Sequence, residues 1–425
     1  MRKLHETILV IDTGGGLGRT LVHAIRDRHV YAELISPRRF LEAELHLPTL
    51  CGLVVTGRDR EAALDSLHKK LGSQKIPFLA LGEESLCAAG KESLDSILSR
   101  FLFDSCGCAG DWTIERYIDE TMEQIRERAG GKRVICGLSG GVDSSVAALL
   151  VHRALGDRLT CVFIDHGFMR KGEPEMVRAM FTSQFRIPLV FVDAAERFLE
   201  SVAGVLEPEA KRKRIGEEFI RIFEQEAEKM GAAFLVQGTI YPDVIESGED
   251  GQIVKSHHNV GGLPEQIQFE GLIEPLRFLF KEEVREVGRA LGLPAAMVDR
   301  QPFPGPGLAI RCLGGITKEK LDILREADAI FCEEVERHGF RDRVSQYFAV
   351  MTGLQSVGLI DGRRTYDFTI ALRAVKTDDF MAAMPAEFPW EFLQHVAGRI
   401  TGEVSHVSRV VYELTGKPPA TIEWE

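Results

Sequence analysis

The stretch VICGLSGGVDSS, residues 134–145, constrains the fold of this chain more than any other. Val134, Ile135 and Cys136 form a short apolar run suited to a sheet covered on both faces. Gly140 and Gly141 follow where the chain must turn sharply, and without a Cβ they let an anion approach the backbone. From Ser144 onward SSVAALLVHRAL has helical spacing, so free backbone N–H groups and the positive end of a helix dipole converge on the turn. Ser139, Ser144 and Ser145 add hydroxyl donors around Val142, and Asp143 offers a carboxylate suited to holding Mg²⁺ against phosphates. A capped tight turn shares the bare GG-x-D-S pattern. The complete SGGVDSS between strand and helix is more specific and reads as a phosphate cradle.

Strands alternate with helices on both sides of this stretch. Residues 1 to about 105 read as a small α/β unit, with strands at 8–11, 32–36, 52–56 and 77–81 and a helix at 60–71. Its glycine run 14–16 and 18 lacks the G-x-G-x-x-G phase and reads as a plain βα turn. An amphipathic helix at 113–131 delivers the chain to the central strand. Strands at 159–164, 189–193 and 234–237 then alternate with helices at 173–185 and 215–229. This order predicts an α/β fold with a parallel sheet, whose ligands bind beyond the carboxyl ends of the strands.

Candidate site residues follow those ends. Asp165 and His166 leave one strand, with His166 read as a satisfied surface histidine. Gly238 leaves another, followed by Asp243, a turn residue or a second Mg²⁺ ligand. Residues 255–264 form a polar, glycine-rich loop with the character of a lid, in which Lys255, His257 and His258 are phosphate donors. Lys281 sits near the start of a predicted helix at 276–291, reaching for phosphates or simply solvated. The basic run 211–214 reads as a solvated helix face, with phosphate steering as the alternative. The Pro- and Gly-rich residues 301–307 read as a stiff linker. Beyond it an α+β segment is predicted, with helices at 317–338 and 388–403 and strands at 346–351, 357–360 and 365–373. The apolar Ile422 and Trp424 predict a docked chain end.

Composition narrows the partners. The 425 residues suffice for two to three domains with their own cores, and a net charge of −12 argues against a general nucleic-acid binder. No apolar run approaches the roughly 18 residues that span a bilayer. The start MRKLHETILVIDTGGG has no cleavage site of a signal peptide. Eight cysteines, scattered apart from Cys106 and Cys108, suit a reducing cytoplasm. That close pair is half a metal site at most, and a structural role is the simpler reading.

SGGVDSS resembles the pyrophosphate loop of N-type ATP pyrophosphatases. Together with GTIYPDVIES, KSHHNVGGLPE, RQPFPGPGLAIR, the SVGL-to-TYDF segment and KPPATIEWE, in that order, residues 111–425 are similar to the synthetase part of the GMP synthetase family. The resemblance implies three domains: an amidotransferase-like domain over 1–110, an ATP pyrophosphatase domain over 111–300, and a C-terminal domain over 301–425 that dimerises and binds xanthosine 5′-monophosphate (XMP). It implies that ATP adenylates XMP with Mg²⁺, that ammonia attacks to give GMP, and that Asp143 and Lys281 serve this chemistry. By the same resemblance Pro304, Gly305, Pro306, Gly307, Arg311, Lys417, Ile422 and Glu423 hold XMP. Gln355 stands where the family tends to have arginine.

The first 110 residues resemble a shortened class I glutamine amidotransferase. Gly82 occupies the place of its nucleophilic cysteine, Cys87 further along is the one alternative nucleophile, and no histidine occurs between His68 and His152 to act as base. That reading predicts loss of glutamine hydrolysis and a supply of free ammonia, or ammonia from a separate glutaminase subunit. The competing readings are a catalytically inactive nucleotide-binding regulator and another synthetase that uses the same phosphate loop.

Overall fold

Three sheets are built from the described residues of this computed structural model, which are 5–42, 49–71, 75–82, 94–246, 269–360, 362–377 and 381–425. They fall into two compact units, residues 1–121 with 241–252, and residues 122–240 with 253–425.

In the first unit the four predicted strands appear as β1 (Thr7–Asp12), β2 (Tyr31–Ile35), β3 (Leu50–Thr56) and β4 (Phe78–Leu81). They form an all-parallel sheet in the order β2-β1-β3-β4. Leu9, Ile11, Leu53 and Val55 project from one face onto Leu67 and Leu71 of the helix Arg60–Leu71, which follows the apolar spacing that predicted it. The glycine run before helix Leu17–Arg26 is a βα turn, closed by the Asp12 carboxylate accepting the Gly14 N–H at 2.8 Å. Gly82 follows β4 directly, while Cys87 lies outside the described residues. The sheet also brings Cys51 to the pair Cys106 and Cys108, and all three are free thiols; burial pushes Cys106 up to about 12.

The second unit holds β5 (Val134–Leu138), β6 (Leu159–Asp165), β7 (Leu189–Asp193), β8 (Phe234–Val236) and β9 (Gly271–Ile273). They too are all parallel, in the order β7-β6-β5-β8-β9. The chain steps outward from β5 through β6 to β7, then returns to add β8 on the other side. The order therefore reverses beside β5, and the turn that leaves β5 opens onto the switch point. A second sheet pairs β10 (Gln346–Ile360) antiparallel with β11 (Arg363–Lys376), β12 (Met384–Pro385) antiparallel with β11, and β13 (Val407–Tyr412) parallel with it. One continuous apolar core joins Ile135, Val162 and Ile164 of the first sheet to Leu324 and Phe331 of helix Lys318–Arg337 and to Ile370 and Leu372 of the second.

Several expectations change in this unit. The predicted strands 346–351 and 357–360 are one strand, irregular between Met351 and Gln355, where Gly353 takes φ +72°. The strand β13 went unpredicted. The helix expected at 276–291 begins only at Lys281, because the Glu283 carboxylate accepts the Phe280 N–H at 2.7 Å and caps it there. Leu276, Leu279 and Phe280 mimic a helix face by their spacing, yet are buried in a turn. The helix expected at 215–229 begins at Pro208, capped by Glu207. This places residues 211–214 inside its first turns, and Lys211 is fully buried instead of lying on a solvated face.

The Pro- and Gly-rich segment expected as a linker is packed into the unit. Gly307 has φ +62°, and a Cβ there would meet the Phe168 carbonyl oxygen at 2.3 Å, so only glycine fits. The Leu308 N–H donates to the same carbonyl at 2.7 Å.

Candidate nucleotide site

The turn after β5 is shaped by its own serines. The Ser139 N–H donates to Ser144 Oγ at 3.2 Å, and the Ser139 and Ser144 hydroxyls lie 3.0 Å apart. The Gly141 N–H donates to Ser139 Oγ at 3.3 Å, while Ser145 Oγ donates to the Gly141 carbonyl at 2.8 Å. Val142 starts the helix Val142–Leu155 with its side chain buried, anchoring the helix end behind the turn. Lys281, first residue of helix Lys281–Ala290, places Nζ 2.8 and 2.6 Å from the two oxygens of Asp143. Both side chains are about one third exposed, at 36 and 31%, so the pair faces an open site. Gly238, leaving β8, lies against the backbone of Asp143 and Ser144. Asp165 accepts the Gly167 N–H at 2.9 Å at the end of β6, and burial pushes its carboxyl up.

His166 corrects the expectation of a surface residue. It is 3% exposed, its Nδ1 accepts the Phe168 N–H at 3.0 Å, and burial pushes it down to about 4, so it sits in the fold as a neutral ring. Lys255, His257 and His258 lie outside the described residues. Asp243 lies in helix Tyr241–Glu246, which belongs to the first unit, whereas Asp143 belongs to the second. Among the described residues no three His, Cys, Asp or Glu side chains gather as a metal cluster.

A second constellation forms around Phe303. The guanidinium groups of Arg170, Arg300 and Arg311 lie 4.9, 5.5 and 5.2 Å from its ring centroid. Arg170 pairs with Asp328 at 3.0 Å, and Arg311, fully buried, forks onto Glu423 at 3.0 and 2.7 Å. Even so, Arg170 Nη2 and Arg311 Nη1 are buried with no hydrogen-bond partner among the described residues. Unpaired buried guanidinium donors are costly, and an anion is one partner that would satisfy them. Pro304, Gly305 and Pro306 carry the chain from Phe303 to Gly307. Ile422 is buried against Phe348 and Val350, and Lys417 exchanges two backbone hydrogen bonds with Ala383, at 2.9 and 2.7 Å. The docked chain end was expected; Arg170, Arg300, Phe303 and Asp328 were not singled out, and only the aromatic residue beside several distant arginines hinted at them.

Residues 114–209 match the family model described as NAD synthase, and residues 333–424 match that of the GMP synthase C terminal domain. The chain is 59% identical over 331 residues to the glutamine-hydrolyzing GMP synthase of Acetivibrio thermocellus, covering 77% of this chain and 65% of that one. It is 58% identical over 340 residues to the corresponding protein of Symbiobacterium thermophilum, covering 80% and 65%. It thus spans just under two thirds of the length of these relatives. Among solved structures, the NMN synthetase from Francisella tularensis aligns at 17% identity and a TM-score of 0.37, over 55% of this chain and 94% of that one. In chain order this sequence is therefore similar first to NAD synthase, over residues 114–209, and then to the C-terminal domain of GMP synthase, over residues 333–424.

Proposed function

We propose that this protein is a GMP-forming ligase: ATP adenylates the C2 oxygen of XMP, pyrophosphate leaves, and ammonia displaces AMP. The observation that carries this reading is the presence, within one compact unit, of the serine-lined turn with its Asp143–Lys281 pair and the arginine cluster whose Arg170 and Arg311 each keep a donor without a partner among the described residues. The first suits a polyphosphate and the second the phosphate of another nucleotide. In this reading the turn's N–H groups and hydroxyls orient the β and γ phosphates, and Lys281 swings from Asp143 to meet the charge growing on the leaving pyrophosphate. Asp143 would hold Mg²⁺, a hard cation that keeps several waters and needs few protein oxygens; bound there it would neutralise phosphate charge. Arg311 keeps Glu423 fixed by its fork, so that Glu423 meets the purine in one orientation. Lys417 contributes a point charge to the XMP phosphate.

For the nitrogen source we propose ammonia, free or supplied by a separate glutaminase. Gly82 stands at the end of β4 where a thiol would be needed, and the sequence has no histidine from 69 to 151. The purified protein, given ATP, Mg²⁺ and XMP, should form GMP with ammonium and not with glutamine, followed by nucleotide chromatography. Turnover with glutamine would overturn the ammonia reading, and no turnover with either source would favour an inactive regulator.

A homodimer through the C-terminal sheet belongs to the same proposal. Val357 pairs with Tyr366 and Leu359 with Arg364, so Gln355, Val357, Leu359 and Tyr366 share one face of the β10–β11 ribbon. Val357, Leu359 and Tyr366 are 52, 75 and 65% exposed, an apolar strip that association would cover. Gln355 brings no charge to it. Leu359→Glu should convert the dimer to a monomer in sedimentation velocity; a monomeric wild type would remove this part of the reading.

A further inference from the structure

We propose that Arg300 and Glu173 are positioning residues that fix the peptide orientation of the phosphate turn and tie it to the arginine cluster around Phe303. Arg300 Nη1 donates to the Gly140 carbonyl at 2.8 Å, and its other nitrogen pairs with Glu173 Oε1. The second oxygen of Glu173 accepts the Arg170 N–H at 3.1 Å. Arg300 and Glu173 are only 14 and 9% exposed, and burial lowers the pKa of Arg300 while the Glu173 charge opposes that fall.

Gly140 has φ +76°, so its peptide unit has the rotational freedom of glycine. Because a trans peptide is planar, its carbonyl and the following N–H point in opposite directions. Holding the Gly140 oxygen on Arg300 therefore aims the Gly141 N–H the other way, toward the serine-lined side of the turn, where it now meets Ser139 Oγ. A flip of this one peptide would replace a donor by a carbonyl oxygen facing the anion. Arg300 opposes that flip with a charged donor in a desolvated place, where it acts most strongly.

The same guanidinium lies over Phe303 beside Arg170 and Arg311, each of which has one buried donor without a partner among the described residues. An anion on that cluster would draw on Arg170, whose backbone N–H is held by Glu173, whose other oxygen holds Arg300. The connection runs through contacts from one nucleotide place to the other, so binding at one favours the competent turn at the other.

This inference rests on reading the turn as an ATP site. The full chain should be titrated calorimetrically with Mg·ATP, with and without XMP, as wild type, Arg300→Lys and Glu173→Gln. Lysine keeps the charge but cannot span Gly140 and Glu173 at once. Mg·ATP affinity should fall about tenfold or more in Arg300→Lys, as expected for a misplaced phosphate cradle. XMP affinity measured alone should fall by a clearly smaller factor than Mg·ATP affinity, because Arg300 meets the arginine cluster only by lying over Phe303, and any tightening of ATP by XMP seen in the wild type should vanish in both variants. Unchanged Mg·ATP affinity in Arg300→Lys overturns the proposal, as does a loss of both affinities in step with the thermal midpoint. A wild type that makes no GMP while Arg300→Lys still loses ATP affinity refutes the reaction and leaves the positioning role standing. A wild type that binds no Mg·ATP refutes both.

Discussion

Asp143→Asn should lower pyrophosphate release from ATP and XMP by about 10²–10³-fold, the scale on which one preorganised electrostatic partner of a transition state acts. The substitution keeps the size of the side chain and one acceptor oxygen. It removes the charge that pairs with Lys281 across 2.6 and 2.8 Å and that would hold Mg²⁺ against the phosphates. Stability should barely change. The pair is about one third exposed, and exposed ion pairs contribute only ~0.2–1 kcal/mol. Activity lost at a nearly constant denaturation midpoint separates a role in the reaction from a role in the fold. Lys281→Met should show the same separation, and the double variant should be little worse than either single one, because the two residues act as a unit. Asp143→Asn releasing pyrophosphate at the wild-type rate would take the carboxylate out of the reaction and leave the pair as a surface contact.

The parts of this site that were legible in the sequence are the local ones. Strand β5, its Ser-Gly-Gly turn and the helix behind it need only residues 134–155, so apolar run, glycines and helical spacing suffice to predict them. Lys281 was legible as a candidate for a weaker reason, a lysine at a helix start; that it reaches Asp143, 138 positions away, is decided by where the sheet ends. The arginine cluster draws on residues 170, 303, 311, 328 and 423, and periodicity carries no information about such distant partners. The buried ring of His166 and the continuous core under the Pro- and Gly-rich segment were misjudged for the same reason. Polar and turn-forming residues look solvated in sequence, and only tertiary packing buries them. Helix starts erred where a charged side chain caps the backbone, as Glu207 and Glu283 do, against the apolar pattern around them.

Lys211→Met should destabilise the second unit by about 3–5 kcal/mol, the cost of removing one partner from a buried ion pair. The ammonium is fully buried, donates to the Cys312 carbonyl at 2.9 Å and pairs with the carboxylate of Glu425, 214 positions away. Glu425 is itself only 5% exposed and also accepts the Gly314 N–H at 3.1 Å, with Arg212 on its backbone oxygen. Methionine fills the space of the lysine stem but leaves that carboxylate buried against an apolar neighbour. The loss should reach the arginine cluster proposed to bind XMP, because Glu423 and Ile422 lie within three residues of the freed end and Glu423 holds the Arg311 fork. XMP affinity should therefore fall together with the urea midpoint, while the Asp143–Lys281 pair, held by other elements, keeps its geometry. Lys211→Met combined with Glu425→Leu should recover much of the stability, since a buried pair exchanged for apolar residues of similar volume costs little. The double variant should not recover XMP affinity to the same degree, because apolar contact holds the chain end without the directional bonds of Lys211 and Glu425 that set its register. Full stability and full XMP affinity in Lys211→Met alone would show that the chain end is held by Ile422 and Glu423 without the buried lysine.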